Sequence, residues 1–167
     1  MTRRPALLAA LAYLLIVGAV TLGPAPWRTR PAVEGYDVLS LSTWLSSGTW
    51  STGRPQEFLA NILLFVPLGI LLRLAFPRAT WAGAVLIGGA ISMGIEVLQM
   101  WGSRVSDPRD VVANTIGTFV GALIAAAVAG LARVARRGVT RVVGGAAGDR
   151  SVSGRSVSRP ASRQPVG

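Results

Sequence analysis

Four apolar stretches constrain this chain more than anything else in it: roughly 6–23, 58–76, 79–100 and 111–132. Each approaches the ~20 residues that a bilayer-spanning helix requires. The apolar residues are blocked together, whereas the helices of a soluble bundle would carry polar residues along one side. The pattern predicts an all-α protein, an integral membrane bundle of four transmembrane helices. Residues 1–132 are expected to form the transmembrane domain, with no room for a second globular domain in 167 residues. Residues 133–167 read as an Arg-rich, disordered cytoplasmic tail, in which Gly, Ser, Val and Arg follow no period.

The arginines set the expected topology. There is no Lys, so all 17 basic residues are Arg. Arg3 and Arg4 precede the first stretch, Arg73 and Arg78 mark the turn between the second and third, and Arg133, Arg136 and Arg137 follow the fourth. With every stretch crossed, these places share one side. The opposite side receives the loops 24–57 and 101–110. There Arg28, Arg30, Arg54, Arg104 and Arg109 are balanced by Glu34, Asp37, Glu57, Asp107 and Asp110. The positive-inside rule puts both the N and C termini in the cytoplasm and these acid-bearing loops outside. Arg3-Arg4 before an apolar core also fits an export signal. The run is longer than a usual signal core, however, and Leu22-Gly-Pro-Ala-Pro26 lacks a clean cleavage site, so a retained first helix is expected.

The net charge of +10 is read the same way: a tail that fixes topology and adheres to anionic lipid, with membrane lipids and not nucleic acid as partners. The chain has no Cys and no His. Disulfides, thiol chemistry, imidazole bases and Cys/His zinc sites are thereby excluded, and neither a cofactor nor a metal is expected. Trp81 and Trp101 bracket the third stretch. At ~1.5 Å per residue their separation is about 30 Å, the hydrocarbon thickness, which is where interfacial Trp residues belong. In the first outer loop, Val38, Leu41, Trp44 and Leu45 stand at helical spacing and predict a short helix in the membrane interface.

Against this apolar background stands a small polar set: Asn61, Glu96, Gln99, Arg104, Asp107, Asp110 and Asn114. Asn61 lies a turn inside the second span, Glu96 and Gln99 within about a turn and a half of the end of the third, and Asn114 a turn into the fourth. Ser92, Glu96 and Gln99 share one helical face, as do Asp110, Asn114, Gly117 and Gly121. The set therefore falls in one outer shell of the membrane, where three helices would enclose an outward-facing polar pocket. Plainer roles exist for several members. Asp107-Pro108-Arg109-Asp110 reads as a helix start. Asn61 and Asn114 suit interhelical hydrogen bonding, and Gly117-x-x-x-Gly121 suits close packing. Pro67 is expected to kink the second span. Glu96 is the hardest to explain as architecture, since an ionisable group within a span is costly. An ion pair with Arg104 is its simplest structural role.

In order, three segments resemble the VanZ-like family of bacterial membrane proteins. They are Glu57-Phe-Leu-Ala-Asn61-Ile-Leu-Leu-Phe65-Val-Pro67-Leu-Gly69, Ser92-Met-Gly-Ile-Glu96-Val-Leu-Gln99, and Arg104-Val-Ser-Asp107-Pro-Arg-Asp110-Val-Val-Ala-Asn114-Thr-Ile-Gly117. The resemblance covers residues 56–122 and extends to the first helix by architecture alone. It implies a small multi-pass protein of the bacterial plasma membrane. The founding activity of that family is low-level resistance to the glycopeptide teicoplanin.

Three functional classes follow. The first is a cell-envelope binding module, with Asn61, Glu96, Gln99, Arg104, Asp107, Asp110 and Asn114 as ligand-binding residues. Its expected partner is a lipid-linked envelope ligand such as a cell-wall precursor, or a lipidated glycopeptide, with Arg104 near Arg109 to hold a phosphate or carboxylate. The second is an intramembrane enzyme using Glu96 and Asp110 as acid and base on a lipid-linked substrate, or Glu57, Asp107 and Asp110 around a hard cation. A purely structural membrane protein is the third. Transport through Glu96 is disfavoured, because the inner half of the spans is apolar apart from Arg73. The Gly-rich faces and modest size suit a homo-oligomer.

Overall fold

The computed structural model describes residues 3–23, 37–78, 80–101 and 106–153, with residues 138–153 described by their backbone alone. The described residues form helices only: α1 (Arg3–Leu22), α2 (Leu41–Leu45), α3 (Ser47–Ser51), α4 (Pro55–Ala75), α5 (Trp81–Met100) and α6 (Pro108–Ser153). Four of them, α1, α4, α5 and the Pro108–Arg137 part of α6, are long and apolar enough to cross a membrane. Their starts obey local rules. Pro55 opens the first turn of α4 and Pro108 that of α6, where a missing N–H costs nothing. Thr80 caps α5, its hydroxyl accepting from the Gly83 amide at 3.2 Å. At the far end of α4, Arg73 donates from Nη1 to the Pro77 carbonyl at 2.9 Å and so covers an open carbonyl of the turn.

The chain divides into two units, Met1–Ala127 and Val128–Gly167. The first contains α1, α4, α5 and the opening of α6 around a core of Val17, Phe65, Leu68, Leu72, Ala84, Ile95 and Ala122. Its outer faces are apolar: Leu8, Leu15, Leu63 and Leu86 are 66%, 77%, 61% and 74% exposed. A water-soluble bundle would place polar residues there, so these faces are built for lipid. Glycines set the helix separations. A Cβ at Gly117 or Gly121 would collide with the carbonyl of Ile62 or Val66, and one at Gly69 with the Thr118 carbonyl. The backbones of α4 and α6 therefore lie in close contact, the use that small residues serve in membrane bundles. α4 continues through Pro67 without a break in the helix.

Two boundaries differ from the sequence reading. The limit near residue 132 is a change in polarity and not the end of the helix, since α6 runs on to Ser153. Ala and Arg, which are good helix formers, carry α6 past residue 132 to Arg137, and the next proline is Pro160. The backbone of 138–153 is accordingly helical where absence of structure was expected, and residues 154–167 lie outside the described residues. The first loop holds two one-turn helices in place of one. Trp44 donates from Nε1 to the Val38 carbonyl at 2.7 Å and Thr49 from its hydroxyl to the Thr43 carbonyl at 2.6 Å, which folds the segment on itself. Leu41 and Leu45 are exposed, as an interfacial helix requires, but Val38 is buried.

Candidate functional site

The end of α1, the start of α4, the end of α5 and the start of α6 meet at one end of the bundle, and the polar residues gather there. Gln99 donates from Nε2 to the Thr21 carbonyl at 3.0 Å, tying the last turn of α5 to that of α1. Deeper in, Asn114 on α6 donates from Nδ2 to the Ser92 hydroxyl on α5 at 2.8 Å. The Asn114 carbonyl in turn accepts from the Thr118 hydroxyl at 3.0 Å. All these side chains are buried, Ser92 and Thr118 completely.

Glu96 is 1% exposed within a span, and its partner is a backbone group. The Asp107 amide donates to Glu96 Oε2 at 2.8 Å, so the carboxyl holds the segment that leads into α6. Asp107 then fixes the start of that helix. Its Oδ1 accepts from the Arg109 amide at 2.9 Å and its carbonyl from the Asp110 amide at 3.0 Å. The helix-start role read from Asp107-Pro108-Arg109-Asp110 is thus present in geometry. Ser106 stands beside the Glu96 carboxyl, and Asp110 lies near enough for its charge to act on it.

Arg109 extends this network to α4. Its guanidinium lies 6.0 Å from the centroid of the Phe58 ring, within range of a cation–π interaction. It also fills the space that a Cβ at Gly53 would need. This seat joins the start of α6 to the segment around Gly53 and Phe58, which is far from it in sequence.

Of the seven residues named from sequence, Glu96, Asp107 and Asp110 come together, Gln99 sits beside them on α5, and Asn114 joins α5 through Ser92. Asn61 is buried, but its Nδ2 meets no partner among the described residues, and neither does Asn114 Oδ1. Arg104, and with it the ion pair suggested for Glu96, lies outside the described residues. The cation site suggested for Glu57, Asp107 and Asp110 does not form: among the described residues no three acidic side chains group closely enough to hold a metal ion. Sequence reasoning gave no partner role to Ser92 or Thr118 and did not find the Arg109 seat. Hydroxyls are too common in apolar helices to signal a partner, and Phe58 and Gly53 carry no motif.

A profile of the VanZ/LLP1 family matches residues 10–130. The chain is similar to Protein VanZ of Enterococcus faecium, with 29% identity over 72 residues, or 42% of this chain and 45% of that protein. The matched part thus spans less than half the length of this curated relative. No solved structure matches the chain.

Proposed function

This chain belongs to the VanZ/LLP1 family, and on that premise we propose that it binds an amphiphile of the bacterial cell envelope at the polar end of its bundle. That end faces outward across the plasma membrane, as the arginine distribution favours. The ligand has a polar head and an apolar tail, as a lipid-linked cell-wall precursor or a lipidated glycopeptide does. The head would meet the half-buried start of α6, at Arg109 and Asp110, which the buried polar residues hold in place, while the tail stays in the outer leaflet.

The observation that carries this reading is the hydrogen bond between Glu96 and the Asp107 amide. A glutamine could accept the same bond without the cost of an ionisable group in a span. The carboxyl therefore has a use beyond satisfying one amide. The bond ties the segment that leads into α6, and with it the seat of Arg109, to α5. The near-complete burial of Glu96 favours this ordering role over direct acid–base contact with a substrate.

Teicoplanin tolerance in a sensitive Gram-positive host tests the reading, with wild type and Glu96→Gln compared at equal membrane abundance. Tolerance raised by wild type and lost in the variant is the expected result. No change with well-inserted wild type would remove the glycopeptide as the ligand and with it the link to resistance.

A further inference from the structure

The Arg109 guanidinium is held in place but makes no ion pair among the described residues. One face lies toward the Phe58 ring, the Gly53 backbone leaves room for the group, and the Arg109 amide is fixed by Asp107. The side chain is half-buried. Asp107, two residues before it, spends Oδ1 on the Arg109 backbone amide and not on its guanidinium. The first amides of α6 are likewise taken: Arg109 donates to the Asp107 side chain and Asp110 to the Asp107 carbonyl. An anion arriving at this end of the bundle would therefore be held by the Arg109 fork and not by the helix terminus.

We propose that Arg109, seated on Phe58 and Gly53, is the anchor for a phosphate ester carried on a lipid chain. The assignment rests on the amphiphile-binding reading above and names the group recognised. A planar guanidinium matches a phosphate with two parallel hydrogen bonds, which an ammonium cannot do. A phosphate also fits the depth, since the ends of the spans lie where lipid headgroups lie. The α2–α3 segment beside Gly53 presents Leu41, Leu45 and Trp50 at its surface, 71%, 76% and 46% exposed. Such a face rests in the interfacial layer, where a tail attached to that phosphate would enter the bilayer. Two sources share this chemistry: bulk phospholipid and a polyprenyl phosphate.

The full chain in detergent can be titrated with farnesyl phosphate, farnesol and a short-chain phosphatidylglycerol while its unfolding midpoint is followed. Farnesyl phosphate is expected to raise the midpoint saturably, with farnesol at least tenfold less effective. Arg109→Gln should weaken the farnesyl phosphate response tenfold or more. Arg109→Lys should retain part of it through charge alone. Gly53→Ala, which displaces the guanidinium without removing it, should weaken it as well and carries the test together with Arg109→Lys should Arg109→Gln fail to fold. A phosphatidylglycerol response equal to that of farnesyl phosphate supports the anchor and identifies bulk lipid as its source; a weaker one supports it and identifies the prenyl ester. A wild-type response in folded Arg109→Gln, or in both Arg109→Lys and Gly53→Ala, overturns the assignment. Farnesyl phosphate acting no better than farnesol overturns it too. Stabilisation by teicoplanin in the same assay would then show that the broader amphiphile reading survives without it.

Discussion

The backbone amide of Asp107 donates to the side chain of Glu96 at 2.8 Å, and through this bond a carboxyl buried in one span holds the start of another. The sequence separation is 11 residues, across the loop that carries Arg104. The last turns of α5 and the residues that open α6 are therefore coupled. Loss of the carboxyl should be felt first at Asp107 and only then in the bundle.

Glu96→Gln keeps an acceptor for Asp107 and should cost no more than about 1 kcal/mol, the scale of a single hydrogen bond. Glu96→Leu leaves the amide buried and unpaired and should cost about 1–3 kcal/mol. Unfolding midpoints in detergent should rank wild type above Gln above Leu. Hydrogen exchange at Asp107 should quicken in both variants, and unchanged exchange would mean that the bond does not protect that amide.

Gly121→Ala and Gly117→Ala place a methyl group against the carbonyls of Val66 and Ile62. Backbone cannot yield as a flexible side chain can, so each should destabilise by about 1–3 kcal/mol, the usual penalty for overpacking. Gly94→Ala is the control, because nothing lies within 4 Å of its added methyl. Equal midpoints for Gly94→Ala and Gly121→Ala would contradict close contact between α4 and α6.

Ser92 and Asn114 should be coupled. A double-mutant cycle with Ser92→Ala and Asn114→Ala is expected to give about 0.6 kcal/mol and no more than ~1.7, the span measured for hydrogen bonds between membrane helices. A coupling of zero would mean that the 2.8 Å bond adds nothing to the packing around it.

Orientation can be read with single cysteines, because the native chain contains none. Ser47→Cys on α3 and Pro77→Cys beyond α4 lie at opposite ends of α4. In intact cells a membrane-impermeant maleimide should label the first, while the second should react only after permeabilisation. The reverse pattern would place the polar end in the cytoplasm and remove the outward-facing site.

The spans were legible because length and apolarity are properties of a segment by itself. Bilayer thickness sets the first and the cost of unpaired polar groups in lipid sets the second. The depth of Glu96, Gln99 and Asn114 was legible for the same reason, since it follows from counting residues from a helix end. The end of α6 was not. Apolarity marks where a helix could leave a membrane, but helix formation depends on backbone hydrogen bonding, which Ala and Arg support equally well outside it.

By itself, then, the sequence determined that four helices cross a membrane and that their polar residues collect near one end. Tertiary structure alone decided what each polar residue meets: an amide for Glu96, a carbonyl of α1 for Gln99, a hydroxyl for Asn114, and the face of Phe58 for Arg109. Those pairings depend on how far each helix is rotated and how near its neighbour lies. Both are set by contacts between distant segments, such as Gly117 and Gly121 against α4, which no single segment can encode.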